Sequence, residues 1–293
     1  MIQQRIGLHI RENQLDFLSR RLRERMHSLS MRNYLEYYNF LTRGDRKQHE
    51  WQEMVELLVN WESGFLRHMP SYNALMDRVF PELVKERLER RENLLLMWSA
   101  GCSRGQEAYS LAMCFDHVFG GKGNCELRIT GTDISRSALK RAQKGEYSFF
   151  EIRDMPKSFR DRYMTQTGML DNIAYPEVKD STTPAIHRPQ YSVKESIRKD
   201  VNFGFLNLYD PADCWVSIQD VIFCQNVLIY FSLQDRARII LMLLKALRPG
   251  GYLFLAPGEG VGVKVEGAAV ERFKDTLAYK RNSREVVHVR VAR

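Results

Sequence analysis

The sequence predicts an α/β fold, a doubly wound sheet preceded by an all-helical segment, and three stretches predict it. The first is Leu94 to Phe119. It opens with an apolar run, Leu94 to Trp98, long enough for a buried strand and too short to span a membrane. Small residues Ser99, Ala100, Gly101, Cys102 and Ser103 follow, then Gly105, and Ala108, Leu111, Ala112, Phe115 and Val118 recur at helical spacing. This reads as strand, glycine turn, helix. The second stretch, Leu127 to Asp133, alternates and ends in a carboxylate. The third, Asp220 to Asn226, is an apolar strand that ends in polar residues. Ligands of such sheets bind beyond the carboxyl ends of the strands.

The glycine turn alone names no ligand. It lacks the G-x-G-x-x-G spacing of dinucleotide folds and the Gly-Lys-Ser/Thr of a P-loop. It suits an ordinary strand-to-helix turn, and equally one whose free N–H groups receive an anionic group. Asp133 also has two readings. An acidic residue at the end of the second strand binds ribose hydroxyls in nucleotide folds. Asp133 with Ser135 would equally cap the helical run Ala138 to Ala142.

Taken in order, 293 residues suggest one or two domains with ample core. With 44% hydrophobic and 27% charged residues the composition is that of a soluble globule. Met1 leads into a charged amphipathic segment rather than a signal peptide. The longest apolar run after it, Ile239 to Leu244, is bounded by Arg238 and Lys245, so no membrane insertion is expected. Five cysteines without a CxxC pair read as reduced thiols of a cytoplasmic protein, with neither a disulfide frame nor a metal site.

Residues 1–88 read as a helical domain and linker, and 89–293 as the α/β domain. Ile10, Leu15, Phe17, Leu18, Leu22 and Met26 fit one amphipathic helix. Tyr34, Leu35, Tyr38, Phe40 and Leu41 fit a second, and Trp51, Met54, Val55, Leu57, Leu58 and Trp61 a third, with a turn at Gly44-Asp45. These aromatics read as small-domain core. The formal charge of +8 draws on Arg20, Arg21, Arg23, Arg25 and Arg32. No nucleic-acid motif accompanies them, which leaves an acidic partner or a solvated helix face.

From Tyr147 to about Val201 the βαβ rhythm lapses: Asp154 to Met164 looks helical, and Tyr191 to Val193 extended. A long irregular stretch of this kind is usually functional. The fold resumes at Val201 to Leu208. Asn207, Gln225, Asn226 and Tyr230 then fall at strand ends, beside Gly101 and Asp133. Leu233 to Leu247 is a helix stopped by Arg248-Pro-Gly-Gly251, and Gly251 to Ala256 another strand. Thr276 to Tyr279 and Val286 to Val291, split by Asn282-Ser283, suggest a closing hairpin.

WSAGCSRGQEAYSLAM, GTDIS, FLNL and FCQNVLIYF occur in that order. Together they resemble the CheR-type chemoreceptor glutamate methyltransferases, over roughly Asn60 to Tyr279. The resemblance implies a Rossmann-like SAM-methyltransferase sheet with an N-terminal all-helical domain and a small antiparallel β-subdomain inserted near residues 150–200, used to dock receptors. It implies S-adenosyl-L-methionine (SAM) as cofactor, S-adenosyl-L-homocysteine as product, and the cytoplasmic domain of a methyl-accepting chemoreceptor as partner of a monomeric enzyme. By resemblance Ser63, Arg67, Gly101, Glu107, Asp133, Asn207, Leu208, Gln225 and Asn226 bind cofactor, and Arg67 and Tyr230 serve methyl transfer. Taken alone, Arg67 reads as a linker arginine, Glu107 as a residue favoured at any helix N-terminus, and Tyr230 as core. Trp61, Gln106 and Gln225 stand where the family often has asparagine, glutamate and arginine, and Met169 to Ala185 looks longer than the family's insert.

The chemistry suits this inventory. A glutamate carboxylate, with an ordinary pKa of about 4.3, is already ionised and needs no general base to attack a methyl sulfonium. Such an enzyme aligns the reacting atoms and excludes water. Accordingly, neither a Ser/His/Asp or Cys/His grouping nor a metal-ligand cluster is evident. Two other readings are a receptor regulator that binds SAM without turnover, which Gln106 and Gln225 favour, and a small-molecule O-methyltransferase, against which the arginine-rich helix counts.

Overall fold

The computed structural model describes residues 1–10, 12, 15–43, 47–59, 62–120, 125–170, 188–210, 212, 214–283 and 285–292. Its first helices are α1 (Ile2–Ile6), α2 (Leu15–Ser28), α3 (Tyr34–Arg43) and α4 (Lys47–Leu58). Met26, Tyr37, Leu41, Trp51 and Met54 form their common core. Within it Arg25 forks onto the Glu50 carboxylate at 2.9 and 2.7 Å, and the Tyr37 hydroxyl donates to the same group at 2.7 Å. Paired charge-assisted bonds of this kind are strong, so Arg25 is an internal strut and not part of a basic face. Tyr34, Leu35 and Tyr38 are exposed rather than core. The stripe of α3 that packs inward is Tyr37–Leu41, and residues off that stripe rotate into solvent. Ile10 lies outside α2, which begins at Leu15. The expected turn at Gly44-Asp45 and the expected helical Trp61 lie outside the described residues.

Next come α5 (Met69–Ala74), a π-helical turn (Leu75–Val79) and α6 (Phe80–Glu89). Tyr72, Leu75, Val79, Phe80 and Leu83 bury in the same core as Leu95 and Met97 of the sheet. The α/β portion runs β1 (Leu94–Ala100), α7 (Gln106–Phe119), β2 (Glu126–Asp133), α8 (Arg136–Lys144), β3 (Glu146–Ser148), α9 (Phe149–Ile152), α10 (Lys157–Tyr163), β4 (Met164–Leu170), β5 (Arg188–Val193), α11 (Glu195–Arg198), β6 (Val201–Phe205), β7 (Gln219–Cys224), α12 (Leu233–Lys245), β8 (Leu247–Leu255), β9 (Val263–Glu266), β10 (Ala268–Phe273), β11 (Thr276–Arg281) and β12 (His288–Val291).

The main sheet has seven strands in the order β10-β11-β8-β7-β1-β2-β6. From β6 to β8 every neighbour is parallel, and β11 is antiparallel to both of its neighbours. All six residues of β7 are buried, as a strand covered on both faces requires. The chain steps outward from β1 to β6 on one side and from β7 to β8 on the other, so the strand order reverses between β1 and β7. That crevice is where such sheets bind ligands.

The irregular middle segment contains the expected small antiparallel sheet, in the order β3-β5-β4. Most of the insert Met169 to Ala185 lies outside the described residues. The expected closing hairpin is replaced by a different pairing. β11 pairs with β10 and β8, whereas β12 pairs with β9 in a separate sheet. The hairpin turn is Lys274-Asp275, with Asp275 at φ 61, a left-handed conformation that aspartate tolerates. Among the described residues no helix is long and apolar enough to cross a membrane.

Candidate functional site

A cavity of about 250 Å³ opens at the carboxyl ends of β1, β2 and β7. Its floor is the turn after β1. Gly101 sits at φ 82, and a Cβ there would lie 2.4 Å from Val227, so the turn requires glycine. The Gly101 and Cys102 N–H groups donate to the Thr132 carbonyl at 2.8 and 2.9 Å, which brings the end of β2 against the turn. Asp133 accepts the Ser103 N–H through one carboxylate oxygen and the Ser135 N–H through the other, both at 2.8 Å. The cap of α8 is Ser135, which accepts the Ala138 N–H at 3.0 Å. Asp133 is therefore the tie between turn and helix, and it lines the cavity. Burial pushes its carboxyl up, opposed by those two N–H donors.

Glu107, in the first turn of α7, accepts the Ser99 hydroxyl at 2.7 Å. Burial pushes its carboxyl up to about 8 against that bond; the charge of Glu259 adds to the rise and Arg67 opposes it. The preceding Gln106 is fully buried, and its side-chain amide has no hydrogen-bond partner among the described residues.

Past β7, Asn226 takes φ 61. Glu259, 1% exposed, holds this loop: it accepts the N–H groups of Asn226, Ile229 and Ala256 at 3.1, 3.3 and 3.0 Å. Asn207 donates to the Arg5 carbonyl at 2.9 Å and accepts the Tyr209 N–H at 3.1 Å. The Tyr230 carbonyl accepts the His9 N–H at 2.8 Å; Tyr230 packs against the core and also lines the cavity. Arg67 donates to the Glu62 carboxylate at 3.2 Å and the Glu62 carbonyl at 3.3 Å.

Ser63, Arg67, Gly101, Glu107, Asp133, Asn207, Leu208, Gln225, Asn226 and Tyr230 all line this one cavity. Periodicity and motifs missed its opposite wall: Ile6 and Leu8 from the first ten residues, and Leu58 and Val59 at the end of α4. Gly7 seats that strap, at φ 73 with the Tyr209 ring 2.2 Å from where a Cβ would be. Glu259 was missed too, although an acid directly after Pro257-Gly258 at a strand end was a usable signal. The helical domain is also fixed to α8, where Glu56 accepts the Arg136 N–H at 2.8 Å and the Ser137 hydroxyl at 2.6 Å. Burial pushes the Glu56 carboxyl up, but these hydrogen bonds outweigh it and hold the group below the usual range.

Two family models match. One, the CheR methyltransferase, SAM binding domain, covers residues 61–272; the other, the CheR methyltransferase, all-alpha domain, covers residues 1–59. The chain is 34% identical over 214 residues to Chemotaxis protein methyltransferase 1 of Pseudomonas aeruginosa, covering 71% of this chain and 69% of that protein. It is 27% identical over 256 residues to Chemotaxis protein methyltransferase of Borreliella burgdorferi, covering 87% and 83%. Probable biofilm formation methyltransferase WspC of Pseudomonas putida is 29% identical over 283 residues, covering 96% of this chain and 60% of that protein.

Proposed function

This chain belongs to the CheR methyltransferase family and is a SAM-dependent methyltransferase, and from that premise we propose that it methyl-esterifies glutamate side chains on the cytoplasmic domain of a chemoreceptor. The observation that carries the substrate reading is the cavity's inventory. One guanidinium and the carboxyl groups of Glu62, Glu107 and Asp133 line it, and among its described lining residues there is no histidine or lysine. A carboxylate acceptor needs no base.

The residues fit the cofactor. Gly101 leaves a cradle that a Cβ would fill, and Glu107 offers a buried acid to an ammonium group. Glu107, Asp133, Asn207 and Asn226 would hold SAM, which supplies a methyl group on a positively charged sulfur. Ser63, Arg67 and Tyr230 lie toward the transfer end. Arg67 already grips a carboxylate, that of Glu62, and an acceptor glutamate would exchange with it. Bidentate pairing would orient the attacking oxygen, and Tyr230 would cover the sulfonium with its ring.

On the helical domain, Arg20, Arg23 and Arg32 are exposed and remain available to an acidic partner, whereas Arg25 is internal. Exposed charges are screened over about 10 Å at 0.1 M salt. The test is transfer of tritiated methyl from SAM to candidate receptor fragments. The label should leave as methanol in mild alkali. Transfer should fall with salt, and Arg20→Glu with Arg23→Glu should lower it and flatten that dependence. Alkali-stable label rejects glutamate, and unchanged transfer by the double variant at low salt reduces the arginines to a solvated face.

Cofactor binding should also depend on pH. With burial pushing its carboxyl up to about 8, Glu107 is protonated at pH 7, and an adjacent ammonium favours its ionised form. SAM affinity should then rise about two- to threefold from pH 7 to pH 8 and fall again above it, where the α-ammonium of the ligand, with an ordinary pKa of about 7.7–8.0, loses its proton. Calorimetry at pH 7 in buffers of different ionisation heat should show proton release. A flat profile removes Glu107 from the ammonium site.

A further inference from the structure

The resemblance places Gln225 among the cofactor contacts, yet its amide nitrogen is committed elsewhere. It donates to the Ser71 hydroxyl at 3.0 Å and to the Leu255 carbonyl at 3.4 Å. A carbonyl only accepts, which identifies the nitrogen end of the amide. Ser71 is fully buried and is not part of the cavity wall. Its hydroxyl also meets His68 Nδ1 at 2.8 Å and the Thr276 hydroxyl at 3.1 Å. One donor and two acceptor positions are thereby all in use. Gln225 follows β7, Leu255 closes β8 and Thr276 opens β11, so one serine of α5 ties three strands to the residue directly after Arg67.

The residue before Arg67 is anchored as well. Leu66 lies at φ 53, in the left-handed region, although it is a bulky residue and 5% exposed. Its N–H donates to the Ser110 hydroxyl of α7 at 3.0 Å. Such a conformation persists only where its surroundings over-determine it, and it marks functional positions. Arg67 is thus flanked by two anchored residues, Leu66 through its N–H and His68 through its ring, while its guanidinium, 42% exposed, pairs with Glu62.

We propose that Ser71, held by Gln225 and Thr276, is a positioning residue for methyl transfer: this polar hub sets the backbone from which Arg67 meets the acceptor carboxylate. The proposal rests on the reading of Arg67 as the residue that orients that carboxylate. Displacing a positioning group by about 1 Å costs up to 100-fold in rate. A loosened hub is therefore expected to lower kcat about tenfold.

The test is a double-mutant cycle with Arg67. Ser71→Ala should lower kcat about tenfold and leave the calorimetric Kd for SAM within twofold, because Ser71 does not reach the cavity. In an Arg67→Ala background the same change should cost less than twofold, since its effect acts through Arg67. Thr276→Val, at the outer edge of the hub, provides the same comparison with a smaller effect if Ser71→Ala folds poorly. An equal loss in both backgrounds, or unchanged kcat in the otherwise native chain, overturns the hub. Unchanged kcat for Arg67→Ala alone overturns the reading of Arg67 and the hub with it.

Discussion

Replacing Asp133 with alanine is expected to lower the affinity for SAM about 10- to 150-fold. Hydrogen bonds to a charged group are each worth about 1.5–3 kcal/mol, and the substitution removes the carboxylate on which the turn after β1 and the start of α8 converge. The Ser103 and Ser135 N–H groups lose their acceptor, and a ribose would lose its partner at the end of β2. Asp133→Asn keeps one acceptor oxygen and should lose less. Calorimetry with SAM and with S-adenosylhomocysteine reads the effect, and both ligands should weaken alike because they share the nucleoside. A change below threefold would remove Asp133 from the cofactor site.

The largest effect on stability is expected at Arg87. This arginine of α6 is buried, and it pairs with Glu92 and with Asp220 at the start of β7. Asp220 is 1% exposed and also accepts the Leu96 N–H of β1 at 2.8 Å. Arg87→Met leaves that buried carboxylate with only Arg248, at 3.9 Å, as a cation; breaking a buried pair costs about 3–5 kcal/mol. For a chain of this size the melting temperature should fall by about 6–20 °C. Adding Asp220→Leu should recover most of the loss, since an apolar pair of similar volume replaces a buried ion pair at little cost. The lesion lies at the end of the sheet opposite the cavity, so SAM affinity should hold wherever the variant is folded. A drop in Tm of less than 3 °C would show that the pair is solvated.

Much of the site was legible in order along the chain. Leu94 to Trp98, Leu127 to Asp133 and Asp220 to Asn226 carry strand patterns, and the residues that end them are polar or glycine. Parallel strands aligned side by side bring those ends together. That is why Gly101, Asp133, Asn207, Gln225 and Asn226 line one cavity. The alternation of period 2 and the helical period of 3.6 are local properties of a sequence, and they determine which elements form and which face each one buries. The fold class and the location of the crevice follow from them.

Only the tertiary structure decided what each polar group does. Arg25 reads as one more surface arginine until Glu50 of another helix is set against it. Gln225 lines the cavity, and only the fold shows that Ser71, 154 positions away, holds its amide nitrogen. Ile6 and Leu8 have no role in the sequence until Asn207 holds the Arg5 carbonyl and Tyr230 the His9 N–H on either side of them. Hydrogen bonds of this kind join residues whose separation leaves no periodic trace. Closing a loop costs only slightly more free energy as the loop lengthens, so sequence distance says little about which partner is chosen. The choice is made when packing brings donor and acceptor within about 3 Å and removes the water that would otherwise satisfy them.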